Sequence, residues 1–159
     1  MNFNRTLLEM DTVTWMGLMA DLCQRGGARR ESGAFLLGVA SGGIRRVKGW
    51  IPYDELDGEA LTEGYVRLGT QAFTELWKRC AELQVEVVAD VHTHPENPRQ
   101  SKSDRTNPMI AQPGHLALIV PNYAQGLVTP RTISVNVYQG SKRWTQFFGP
   151  DAEALVRLT

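Results

Sequence analysis

Apolar residues recur at spacings of mostly three and four through Leu8, Val13, Met16, Leu18, Met19 and Leu22. This predicts an amphipathic helix over residues 7–25, ended by Gly26 and Gly27. Residues 34–40 form a short, almost wholly apolar run and predict a buried strand. After the turn Ser41-Gly42-Gly43, residues 44–53 predict a second strand, so the pair reads as a hairpin. Residues 54–66 are acidic and contain glycine, as a loop would be. Residues 70–83 put Phe73, Leu76, Trp77 and Cys80 on one helical face. Residues 85–92 predict a third strand, buried on both sides by its composition. The stretch 101–111 is ambiguous: Ser101 or Ser103 could cap a short helix carrying Asp104 in its first turn, and Pro108 would limit or bend it. Residues 114–120 predict a strand and 121–132 a loop. Residues 133–138 and 144–148 predict a closing hairpin around Gly140-Ser141, and 151–158 a last helical turn or two. The expected fold class is α/β, a mixed β-sheet flanked by helices.

The sequence shows no repeat, low-complexity tract or linker, and 159 residues suit one domain spanning 1–159. A hydrophobic content of 42% with 21% charged residues is ordinary for a globular chain, so disorder is not expected. Seventeen basic residues balance seventeen acidic ones, which removes the bulk electrostatic case for nucleic acid or an anionic membrane. Two local basic clusters, Arg25/Arg29/Arg30 and Arg45/Arg46/Lys48, read as solvated faces. The two cysteines, Cys23 and Cys80, lie far apart in predicted helices and read as free thiols, so any metal site rests on nitrogen and oxygen ligands. Residues 1–5 show no start of a secretory leader, and no apolar run approaches the ~18 residues of a membrane span. The expected compartment is the cytosol, with no membrane partner.

The chemistry concentrates at Val91-His92-Thr93-His94-Pro95, followed by Ser101 and Asp104. Two of the three histidines of the chain stand at i and i+2 at the end of an apolar run. On a strand that spacing puts both imidazoles on one face, and the proline ends the strand just after them. Asp104 follows His94 closely enough for a short loop to return it to the pair. Two imidazoles and one carboxylate leave a fourth coordination position open, the pattern of a catalytic rather than a structural zinc. Amide hydrolysis there also needs a carboxylate to move a proton and a donor for the oxyanion. Ser101 could be that donor or simply a helix cap. Glu31 stands just before the buried run, where a charge is costly unless paired or functional. Spacing alone does not choose it over Asp54 or Glu86.

His92-Thr93-His94-Pro95 with Ser101-x-x-Asp104, preceded by Glu31-x-x-x-x-Leu36-x-Gly38, resembles the JAB/JAMM (MPN-plus) metalloproteases. The resemblance covers residues 31–38 and 91–104 by motif and the rest by a compatible order of elements. Thr93 stands where that family often has serine, and the loop from His94 to Ser101 is one residue shorter than in the well-known eukaryotic members. The resemblance implies a JAB/MPN, cytidine-deaminase-like fold. It implies one Zn2+ per chain on His92, His94 and Asp104, with Glu31 as general base and Ser101 as oxyanion donor.

By the same resemblance the activity is a peptidase or isopeptidase cutting after the C-terminal Gly of a ubiquitin-like protein. The small size looks bacterial or archaeal, where relatives include deconjugating peptidases of antiphage operons and enzymes that trim sulfur carriers of the ubiquitin fold. The implied partner is a ubiquitin-like protein or its conjugate. Its tail would lie extended beside a sheet edge, with loops 54–66 and 121–132 as walls of the groove. Two other readings compete: a non-catalytic MPN-type partner-binding module, and a RadC-like protein with a link to DNA, against which the neutral charge balance argues. His115 reads as a strand-edge histidine and no ligand. Trp15, Trp50, Trp77 and Trp144 read as core or interface anchors.

Overall fold

The structure is a computed structural model that describes residues 6–64 and 66–159. Tyr65, within the expected loop 54–66, and residues 1–5 lie outside that description. The strands are β1 (Leu7–Met10), β2 (Gly33–Ser41), β3 (Ile44–Pro52), β4 (Glu86–Thr93), β5 (Leu116–Val120), β6 (Ser134–Gly140), β7 (Arg143–Phe147) and β8 (Val156–Leu158). The helices are α1 (Thr12–Gly26), α2 (Tyr53–Leu56), α3 (Thr70–Leu83), α4 (Lys102–Thr106) and α5 (Gly149–Glu153). Among the described residues the strands form one mixed sheet in the order β7-β6-β5-β4-β2-β3-β1-β8. β4 runs parallel to β5, and β1 runs parallel to both β3 and β8. The other neighbours are antiparallel.

The period of two along β2 divides the core. Ala34 and Leu36 join Trp15, Leu18 and Leu22 of α1 in one cluster, while Phe35 and Leu37 join Leu76 and Cys80 of α3 in the other. A strand buried on both faces must be apolar at every position, which is why the run 34–38 lacks polar residues. Gly38 sits at a β2–β3 register shift, where a Cβ would lie 1.8 Å from the Arg46 carbonyl oxygen. α1 ends where Gly27 takes a left-handed conformation (φ 59°) and its N–H bonds the Cys23 carbonyl.

Three expectations needed correcting. The helix expected over 7–25 is a strand followed by a helix. Leu8 and Met10 alternate into the core at full burial, and the Asp11 carboxylate accepts from the Thr14 N–H at 2.6 Å to cap α1. Val13 and Met16, counted toward the buried stripe, are exposed at 80% and 64%, while Trp15 joins the expected Leu18, Met19 and Leu22 on the buried face. The helical end expected over 151–158 is a short helix followed by β8, which pairs Leu8 with Val156. The stretch 54–66 opens with α2, so it is not wholly a loop.

The basic clusters are largely absorbed by the fold. Arg25 meets Asp21 (2.8 Å), Asp54 (3.1 Å) and Glu55 (2.8 Å), and Arg45 donates to the Val88 and Gly114 carbonyls. Cys23 and Cys80 are free. Of the four tryptophans, Trp77 is half exposed rather than a core anchor. No helix among the described residues is long and apolar enough to cross a membrane.

Glu9 ties the terminal strands together. Its carboxylate accepts from Arg46 at 2.9 Å and from Arg157 of β8, and these two guanidinium groups hold its pKa below the ordinary 4.5. A lowered folded-state pKa means the contribution is complete above about pH 4.5 and is lost as pH falls through the lowered value. Protection factors of the amides at Val156–Leu158, which correct for the intrinsic pH dependence of exchange, should therefore fall selectively below pH 4.5, ahead of those in β2 and β4, and Glu9→Gln should remove that pH dependence.

Candidate metal centre

His92 lies near the end of β4 and His94 just beyond it, where Pro95 closes the strand. Strand pairing on both sides of β4 fixes His92, opposite Gly33 and Ile119, and main-chain bonds fix His94. His94 N–H donates to the Val120 carbonyl at 2.9 Å, and the His94 carbonyl accepts from Tyr123 N–H at 2.9 Å. That second bond comes from a turn, Asn122–Ala124, whose three residues have φ of 54°, 52° and 60°. Consecutive non-glycine residues in the left-handed region are strained, and such turns persist only where their surroundings hold them.

β2 brings Glu31 to the same place. Gly33 pairs with His92 across the β2–β4 ladder. Thr93 fastens the end of β2: its Oγ1 accepts from Ser32 N–H at 3.0 Å and its N–H donates to the Ser32 carbonyl at 2.8 Å. Glu31 N–H donates to the Gly64 carbonyl, which ties the loop before α3 to the site.

Asp104 arrives on α4 through its cap. Ser101 is the N-cap: its Oγ accepts from Asp104 N–H at 3.0 Å, and its N–H donates to Asp104 Oδ2 at 2.8 Å. Asp104 Oδ1 then lies 3.3 Å from His92 Nε2, and Oδ2 lies 3.0 Å from His94 Nε2. The two Nε2 atoms are 3.0 Å apart. Donors on a tetrahedral ion with bonds of about 2.0–2.1 Å stand about 3.3 Å from one another. The donor set thus fits a small divalent cation, and two imidazoles with a carboxylate suit zinc chemically. The ligand atoms of Glu31, His92 and His94 also lie within 4.8 Å of one another, so these three could hold a metal ion as well.

The electrostatics follow from burial and proximity. Burial opposes charge on Asp104, but hydrogen bonds from the two imidazoles and the Ser101 N–H overcome it and hold the carboxyl well below the usual carboxylate range. Burial likewise opposes a charged His92, yet Asp104 outweighs it and raises the imidazole above its ordinary 6.5. Burial lifts the Glu31 carboxyl above 4.5; the two histidines pull it down and Asp104 adds to the rise.

A cavity of about 380 Å³ opens beside Glu31, His92, Ser101 and Asp104. It is lined further by residues that sequence reasoning missed, among them Asp90, Gln100 and Trp144. Asp90 is 2% exposed and its Oδ2 meets His115 Nε2 at 2.6 Å. His115, expected at a strand edge, is buried there just before β5. The legible signal was Asp90 itself: a carboxylate inside an apolar strand, two residues before His92 and so on its face. Trp144 lies on β7 and bonds the Arg105 carbonyl through Nε1, closing the cavity on the side of the sheet edge.

Similarity to known proteins bears on the fold and the family. A solution structure from Desulfitobacterium hafniense matches with a TM-score of 0.65 at 16% identity, over 96% of this chain and 93% of that one. A solution structure from Salinibacter ruber matches with a TM-score of 0.59 at 16% identity, over 90% and 92%. At that identity the likeness is one of fold. The model of the family described as prokaryotic homologs of the JAB domain matches residues 15–134, which contain Glu31, both histidines, Ser101 and Asp104, and the chain belongs to that family.

Proposed function

We propose that this protein is a zinc-dependent peptidase or isopeptidase that cleaves after the C-terminal Gly of a ubiquitin-like protein. The observation that carries the reading is the convergence of His92, His94 and Asp104 at 3.0–3.3 Å with Glu31 beside them at the cavity. His92, His94 and Asp104 would hold the ion. Zinc at that place supplies Lewis acidity toward a water and toward the substrate carbonyl. Glu31 takes the proton of the attacking water on its carboxylate and returns it to the leaving amine. Its partial burial suits this, because a carboxylate with a raised pKa is a stronger base. Ser101 accepts from Asp104 N–H through an Oγ lone pair, which leaves its O–H hydrogen free to donate to the oxyanion. Capping and catalysis are compatible in one hydroxyl, so the two roles open in the sequence need not compete.

The substrate tail would reach the site extended, beside β7. This edge strand borders the cavity through Trp144, and adding a strand there leaves the tail's backbone hydrogen-bonded. The wider setting in this proposal is a single cytidine-deaminase-like domain acting in the cytoplasm of a bacterium, within a conjugation system of the antiphage kind.

Metal analysis is the first test. Purified protein should carry about one zinc per chain, and His94→Ala and Asp104→Ala should each lose it or bind it far more weakly. Chelation should stop cleavage of fusions to ubiquitin-like proteins, and zinc should restore it. A wild type that takes up no zinc when supplied with it would leave a partner-binding module as the better reading.

Ser101→Ala separates the two duties of that side chain. Loss of the oxyanion donor should lower kcat by about 10²-fold or more, while loss of the cap destabilises α4 by about 1 kcal/mol. Ser101→Asp, which keeps a cap but has no O–H to donate, should recover the stability measured by urea unfolding and not the kcat.

A further inference from the structure

We propose that the cavity beside the histidines is a subsite for a positively charged side chain of the substrate, an ammonium or guanidinium group carried near the scissile bond and received by Asp90 and Gln100. The role given to the substrate rests on the peptidase reading above; the chemistry of the pocket does not. Asp90 is a carboxylate buried in the middle of β4, lining the cavity, with His115 on one oxygen. Gln100, 9% exposed, lines the same cavity, and its Oε1 has no hydrogen-bond partner. A buried acceptor left unpaired costs free energy, so Gln100 Oε1 calls for a donor, while Asp90, paired with His115 through one oxygen, adds negative charge to the same cavity. No lysine or arginine lines the cavity among the described residues.

The remaining walls fit the stem of such a side chain. Pro108, Met109 and Trp144 offer apolar surface along which methylenes can lie while the charged head reaches the polar floor. Ala117 pairs with Asp90 across β4–β5, and its small side chain leaves the floor open above the carboxylate. Three carboxylates, Asp90, Glu31 and Asp104, line the cavity; a dication held by His92, His94 and Asp104 would offset two of those charges, and the remaining negative charge favours a cation over an anion. A neutral aliphatic group would leave Gln100 Oε1 unpaired and bring no charge to the Asp90 carboxylate, which penalises it too.

The test uses binding, not turnover. Isotope-labelled protein of measured metal content is titrated with n-butylammonium, n-butylguanidinium and, as a neutral match, n-pentanol. The Gln100 side-chain amide and the Ala117 methyl resonances are followed by NMR. One or both cations should shift these signals saturably, with pentanol at least about tenfold weaker, the effect of one charge-assisted contact. Asp90→Asn should weaken the cation by about tenfold and leave pentanol unchanged. Gln100→Met, away from the His115 pair, should weaken it severalfold and keeps the test alive if Asp90→Asn fails to fold. Equal binding of cations and pentanol, cation affinity unchanged in both variants, or no shift with any probe would overturn the proposal. A protein that seats the cations but holds no zinc and cuts nothing would sink the peptidase reading and leave the pocket standing.

Discussion

On the proposed peptidase reading, Glu31→Gln should lower the rate of amide cleavage by about 10²–10⁴-fold while the protein still takes up zinc. The substitution keeps the shape of the side chain and removes only its ability to accept a proton at neutral pH. It also decides between the two donor sets that the geometry allows. With His92, His94 and Asp104 as the ligands, Glu31→Gln keeps the zinc and Asp104→Asn weakens it. With Glu31, His92 and His94 as the ligands, the pattern reverses. Elemental analysis of the two variants beside a cleavage assay distinguishes these cases. A Glu31→Gln protein that turns over at the wild-type rate would mean that another group moves the proton.

Gly33→Ala should be the most damaging small substitution near the site. A Cβ at Gly33 would lie 2.4 Å from Tyr53 Cε2 and 2.6 Å from the Val91 carbonyl oxygen. Tyr53 is fully buried, with its ring 4.8 Å from that of Phe35, so it has little room to give. The alternative is to push β4 outward at Val91, next to His92. Overpacking of this kind costs about 1–3 kcal/mol, and the backbone contact puts Gly33→Ala at or above the top of that range. Because Gly33 faces His92 in the ladder, zinc affinity should fall along with stability. Gly49→Ala is the control, since nothing lies within 4 Å of its Cβ position. Urea unfolding should show Gly49→Ala near the wild type and Gly33→Ala far below it, with metal retention following the same order.

The sequence made some parts of this molecule readable and hid others for physical reasons. The helix Thr70–Leu83 was legible to the residue, because a full amphipathic period runs uninterrupted between Gly69 and a left-handed Gln84. β1 was not. Leu7-Leu8-Glu9-Met10 fits a period of two as well as a helical start, and only pairing with β3 and β8 decides the matter. β8 is three residues long and finds its partner nearly the whole chain away, a contact that no local pattern encodes. The metal-ligating types at His92, His94 and Asp104 stood out by residue chemistry and spacing. Glu31 did not stand out from Asp54 or Glu86, since the difference is tertiary: Asp54 is taken by Arg25, Glu86 begins β4 at the surface, and the β2–β4 ladder carries Glu31 to the histidines. Gln100 was invisible for the same reason, because its burial depends on how the loop after Pro95 folds back.

The left-handed turn at Asn122–Ala124 sets a bargain between endurance and accuracy. Each residue of an L-chain held there gives up about 1–2 kcal/mol relative to ordinary helical backbone, and the carbonyl of His94 rests on the middle one. A thermostability screen that ranks substitutions by melting temperature alone would favour glycine at the exposed Asn122, where the strain is relieved without removing a buried group. The same change would hand the turn a freedom that its present residues deny it, and His94 would inherit that slack. Selection for heat resistance and selection for turnover should therefore pull this one turn in opposite directions.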